Sequence, residues 1–162
     1  MSMEIEGDGS WPYGDRPDAD WTKAFTDELQ RITVLAPSEP NPDGTVPLGD
    51  SDKMLLRQEI VSLMKRAHTG SVRQQEFQEV RSGDVVVELK HPRPGNLGGW
   101  HYRVYTGVPK HPDHTYLVWL GAGRKPDSEF DPEGWGELQT GQIETSHCRF
   151  KVWLASRYAD RT

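Results

Sequence analysis

Between residues 20 and 33 the apolar side chains Trp21, Phe25, Leu29 and Ile32 recur at the spacing of one helical face. The spacing predicts a first helix over 20–33. The stretch APSEPNPDGTVPLGDSD at 36–52 is dense in Pro and Gly and predicts a loop. A second helix is expected to open near Ser51 or Asp52. It carries the stripe Met54, Leu55, Ile60, Leu63, Met64 and Ala67, and stops at Gly70. After Gly83 the pattern becomes extended. DVVVELK (84–90), WHYRVYTGV (100–108) and TYLVWLGA (115–122) are β-branched and aromatic, and turn-rich clusters separate them, so they predict an antiparallel meander. TGQIETSHCRFKVWLASRYADR, from 140 on, places Ile143, His147, Phe150, Val152, Trp153, Leu154 and Tyr158 as the apolar and aromatic side of a closing helix.

The expected class is α+β: two N-terminal helices on a small antiparallel sheet of three or four strands, followed by a C-terminal helix. With the two helices on one face, the other face is expected to stay partly open to a ligand. Residues 1–20 are rich in Gly, Pro and Asp and predict a disordered acidic tail, with Trp11 and Tyr13 able to dock, leaving 21–162 as one domain.

Charge sharpens this picture. The net charge is −6, yet residues 1–50 hold eleven acidic side chains against three basic ones. Residues 85–125 hold six basic against two acidic, with His91, His101, His111 and His114 beside them. The middle of the chain is therefore a basic region suited to phosphate, and the acidic segment is a candidate shield for it. One cysteine, Cys148, allows no internal disulfide and no thiolate zinc site, and its setting reads as a small core residue. HPDH at 111–114 lacks a recognisable ligand spacing, so no metal is expected. No nucleotide-binding or hydrolase fingerprint occurs, no cofactor is expected, and the absence of a leader or bilayer-length apolar run points to a cytoplasmic protein.

Alternation along the strands puts His101, Arg103 and Tyr105 on one face, and Val86, Glu88 and Lys90 on one face. Lys90 ends one strand, Arg103 lies inside the next, and Arg124 and Lys125 follow the third, so strands paired in order bring cations together. Three patches, ELK at 88–90, YRVY at 102–105 and GRKPDSEF at 123–130, resemble the RelE/ParE toxin superfamily, in particular its RelE and HigB types, over roughly residues 53–130. The resemblance implies a metal-independent endoribonuclease that cleaves messenger RNA, on the ribosome, and is neutralised by a cognate antitoxin protein. Carried over, it implies Lys90 as base or electrostatic stabiliser, Arg103 as phosphate clamp and Arg124 as transition-state stabiliser or leaving-group acid. Lys125, Arg93, His91, His101 and Phe130 are then RNA-binding. The best-known relatives carry a tyrosine where Phe130 stands, and a phenyl ring stacks but donates no proton. His91 and His101 are alternative proton carriers. The competing reading is a non-catalytic interaction protein on the same scaffold, such as a gyrase inhibitor of the ParE type, in which Arg103 simply pairs with Glu88 across the ladder.

Overall fold

A computed structural model describes residues 11–34, 41–91, 98–127 and 134–159. The fold is α+β, with a five-stranded mixed sheet and three helices. In chain order these are β1 (Asp18–Trp21), α1 (Lys23–Thr33), α2 (Asp50–His68), a 3-10 turn (Gln74–Glu76), β2 (Phe77–Arg81), β3 (Val86–Lys90), β4 (Trp100–Gly107), β5 (Tyr116–Pro126) and α3 (Gly134–Ala159). The sheet order is β1-β5-β4-β3-β2. Strands β3 to β5 form the expected antiparallel meander, and β2, which was not expected, extends it at the edge. β1 adds a parallel edge, with Asp18 opposite Tyr116 and Trp21 opposite Trp119.

Local chemistry explains the helix ends. The Thr22 hydroxyl accepts the Phe25 amide at 3.1 Å and starts α1. α2 carries Asp50 and Asp52 in its first turn and Lys65, Arg66 and His68 in its last, each sign at the end of the dipole that favours it. It closes at Gly70, whose φ of +74° is left-handed.

The two sheet faces are covered differently. Phe25, Leu29 and Ile32 of α1 and Leu56, Ile60, Leu63 and Ala67 of α2 pack on Val87, Leu89, Tyr102, Val104, Leu117 and Trp119. This is the main core. On the other face a smaller cluster, Val86, Tyr105, Val118 and Leu120, packs against Phe150 of α3. Glycines let α3 sit against this face: a Cβ on Gly107 would lie 2.6 Å from Phe150 Cδ1, and one on Gly123 2.6 Å from Gln142 Cδ.

Several expectations change here. The second face is covered, not open, because a 26-residue helix starting at 134 lies across it. The closing helix was expected only from 140 on, and the glycines of GWGELQTG, poor helix formers, give little helical signal before it. The first element among the described residues is a strand, and residues 11–20 are not a tail. Trp11 is buried, with its ring 5.2 Å from Phe77 and 4.9 Å from Tyr13, and the Tyr13 hydroxyl donates to Glu79 at 2.6 Å. Arg16, also buried, donates to the carbonyls of Tyr13, Pro109 and Tyr116. This segment docks on the main-core face, so residues 11–20 do not shield the opposite one; residues 1–10 lie outside the described residues. In the stripes, Trp21, Met54, Leu55 and Val152 are exposed, and Leu56 takes the place in the core expected for its neighbours. Cys148 is exposed on α3. No helix among the described residues is long and apolar enough to cross a membrane.

The tight seat of α3 gives a first prediction. Gly107→Ala pushes a methyl group into the buried Phe150 ring and is expected to destabilise the fold by about 1–3 kcal/mol, read as a lower urea midpoint with unchanged slope. A neutral effect contradicts this packing.

Candidate functional site: a buried cationic cluster under α3

Three adjacent strands build the site. Lys90 of β3 stands opposite Arg103 of β4, Arg103 opposite Gly123 of β5, and His101 opposite Lys125. Cross-strand partners share a face, so Lys90, Arg103, His101 and Lys125 lie together, with Glu88 opposite Tyr105 one pair further along. The glycines Gly121 and Gly123 opposite Tyr105 and Arg103 leave this face without side chains from β5 there, and Gln139 and Gln142 of α3 enter the space.

The cluster is interior. Glu88 is 0 % exposed, Lys125 1 % and Arg103 7 %. Arg103 Nε lies 3.6 Å from Glu88 Oε1 and Arg103 Nη1 donates to the Tyr102 carbonyl at 3.0 Å. Arg103 Nε makes no hydrogen bond within 3.5 Å among the described residues, and its contact with Glu88 is a longer ion pair. The Tyr105 hydroxyl lies 3.0 Å from Glu88 Oε2 and 2.9 Å from Gln142 Oε1. Gln139 Nε2 donates to Glu88 Oε2 at 3.2 Å, and Gln142 Nε2 donates to the Arg124 carbonyl at 3.1 Å.

Burial and like charge set the protonation of this group. Desolvation and then the Arg103 charge bring Lys125 down to about 8, with Lys90 adding to the fall and Glu88 opposing it. Burial lowers Arg103 as well, against the pull of Glu88. Burial and the neighbouring Glu88 hold Tyr105 firmly protonated. A lysine with a pKa near 8 exchanges its proton close to neutral pH, which an ordinary surface lysine does not do.

Arg124 does not join this cluster. It pairs with Tyr102 and lies on the main-core face, with its guanidinium carbon 3.9 Å from the Trp100 ring centroid and a hydrogen bond to Tyr102. β5 runs to Pro126, so 124 and 125 are strand positions whose side chains point to opposite faces, where the sequence had suggested a shared strand exit. His91 is buried on that same side, its Nε2 2.9 Å from Glu59 Oε1 and its ring edge-on to Tyr102. His101, with Nε2 2.8 Å from Asp127 Oδ2, stays beside Lys125. Arg93 and Phe130 lie outside the described residues. The cross-strand pairing of Arg103 with Glu88 is present, and Glu88, Tyr105, Gln139 and Gln142 are site residues that sequence reasoning did not assign to the site. A glutamate at a strand position otherwise buried on both sides, VVELK, was the available signal. Among the described residues no group of three or more His, Cys, Asp or Glu is placed to hold a metal ion.

Where β1 ends, side chains finish the edge of β5. Glu28 of α1 accepts the Ala122 amide at 3.1 Å and binds Arg149 of α3 through two bonds of 2.8 and 2.9 Å, while Arg149 donates to the Leu120 carbonyl. This clamp ties α3 to α1 beside the cluster. Compared with protein-family models, curated proteins and solved structures, the chain matches none.

The depressed Lys125 pKa has a measurable consequence. The unfolded chain holds that proton up to the ordinary lysine value of 10.5, the folded chain only to about 8. Between these values the unfolded state binds more protons, so stability rises with pH across the window; below it stability does not change with pH and the full cost of the buried charge is present. Lys125→Met is expected to be more stable than the wild type at pH 7, by about 1 kcal/mol or more, with the gap closing as pH rises through the window. Urea unfolding of both proteins from pH 7 to 10 checks this; a gap constant with pH contradicts it.

Proposed function

We propose that the protein is an endoribonuclease of the RelE type that holds a scissile RNA phosphate with Lys90, Arg103 and Lys125. The observation that carries the reading is the placement of these three cations, from three adjacent strands, on one sheet face.

The chemistry needs no resident cofactor. The 2′-hydroxyl of the substrate attacks the adjacent phosphorus, forming a 2′-oxygen–phosphorus bond as the bond to the 5′-oxygen breaks, and only RNA offers that nucleophile. Arg103 exchanges its long contact with Glu88 for a hydrogen bond to a phosphate oxygen, and Lys90 adds a second charge where negative charge develops. Lys125, taking the role the resemblance gave to Arg124, donates the proton that the leaving 5′-oxygen needs, and the 2′-hydroxyl proton passes to His101 on the same face. His101, held by Asp127, stands next to Lys125. An antitoxin that covers this face neutralises the enzyme, and translating messenger RNA is the substrate.

A second reading, a non-catalytic interaction protein, is favoured by one observation: Arg103 is engaged with buried Glu88 beneath α3. In that reading the cations serve the fold and the protein acts through its surface.

Induced expression in a bacterial host with mapping of messenger-RNA ends separates the two. Wild type is expected to arrest growth and create new ends. Lys90→Ala, Arg103→Lys and Lys125→Met, each checked for folding by its thermal melt, are expected to lose on the order of 100-fold in cleavage. Arg124→Ala, on the other face, is expected to keep most of it. Arrest with intact messenger RNA, or cleavage that depends on Arg124 and not on Lys125, overturns the proposal.

A further inference from the structure

The first two turns of α3, residues 134–142, are held differently from the rest of that helix. Their sequence, GWGELQTGQ, places Gly134, Gly136 and Gly141 within eight residues. Each interior glycine weakens a helix about fivefold relative to alanine. Gly136 and Gly141 are not required for space, since a Cβ on either would meet nothing within 4 Å. Gly107 and Gly123, by contrast, are needed for close approach.

The attachments differ in the same sense. Among the described side chains, 134–142 reaches the sheet through polar contacts, Gln139 to Glu88 and Gln142 to Tyr105 and the Arg124 carbonyl. Leu138 is 45 % exposed. A cleft of about 290 Å³, lined by Tyr105, Gly121, Leu138, Gly141, Gln142 and Arg149 among others, lies under this section. From 144 onward the helix is anchored: Phe150 is buried, Arg149 grips Glu28, Trp153 Nε1 donates to Asp20 at 2.7 Å, and Arg157 donates to Asp113 and covers the Tyr116 ring.

We propose that residues 134–142 form a glycine-weakened lid that unwinds while residues 144–159 stay docked, and that its opening admits a single-stranded RNA phosphate to Arg103 and its neighbours. What enters rests on the nuclease reading above; the motion does not. Gln139 and Gln142 are the latch, and in the closed form they occupy hydrogen-bonding positions on Glu88 and Tyr105 beside the phosphate site. The glycines set how often the lid opens. Alanine at both 136 and 141 leaves the closed form unstrained and lowers the open population by on the order of 25-fold.

Amide hydrogen exchange of the full chain tests this, because it needs no substrate. In the wild type, amides of 138–142 are expected to exchange at least about tenfold faster than those of 148–154 in the same helix. In Gly136→Ala/Gly141→Ala, exchange at 138–142 slows by on the order of 25-fold, and cleavage of single-stranded RNA falls with it. Uniform exchange along α3, or exchange at 138–142 that the alanines leave unchanged, overturns the lid. Slowed exchange with undiminished cleavage overturns its role in admitting RNA. Slowed exchange with no cleavage by either protein upholds the lid and overturns the nuclease reading.

Discussion

Glu88, Arg103 and Lys125 are buried on one face of the sheet, and keeping charge in that interior is the constraint on which the rest of the arrangement turns. Charges removed from water need close partners or a shift in protonation. Glu88 answers with partners: it lies 3.6 Å from Arg103 and accepts from Gln139. Lys125 answers by losing proton affinity beside Arg103. A core built only for stability is served as well or better by apolar side chains of the same volume. The cluster is therefore costly in the folded protein, a cost that the proposed offer of its charge to RNA would account for.

The architecture makes that offer conditional. α1 and α2 bury a continuous apolar face and fix the sheet, while α3 covers the charged face with one fully buried phenylalanine, a salt-bridge clamp to α1 and several polar contacts. Polar contacts of this kind exchange for water or ligand at small net cost, whereas the main core does not. Glycines at 107 and 123 bring the covering helix close, and glycines at 136 and 141 weaken its first turns. The same residue type thus seats one part of α3 and loosens another.

The α+β class and the meander were legible because β3, β4 and β5 are rich in β-branched and aromatic residues, and because Phe25, Leu29 and Ile32 repeat at helical spacing. β1, Asp-Ala-Asp-Trp, was not legible: nothing in that short acidic run favours a strand, and it forms one only through parallel pairing to β5. The docking of Trp11 and Arg16 depends on Phe77 and on carbonyls of Pro109 and Tyr116, far away in sequence. Alternation correctly put Glu88 with Lys90, and Arg103 with His101 and Tyr105, while the register that joins the two sets was visible only in the structure. Alternation would have separated Arg124 from Lys125 as well, had β5 not seemed to end at Gly121 and Ala122. The cover over the site could not be read, because glycines that mark a weak helix also look like a loop.

The most direct test of the central claim is the side-chain Nε–H resonance of each arginine during titration with a single-stranded RNA carrying a 2′-deoxy sugar at the scissile position, which binds without reacting. Arg103 Nε–H, 3.6 Å from Glu88 Oε1, is expected to shift as it exchanges that contact for the phosphate, while Arg124 Nε–H, on the side chain stacked on Trp100 on the opposite face, stays where it is. A shift at Arg124 with none at Arg103 would contradict the assignment of the basic face, and no shift at either would contradict RNA binding there.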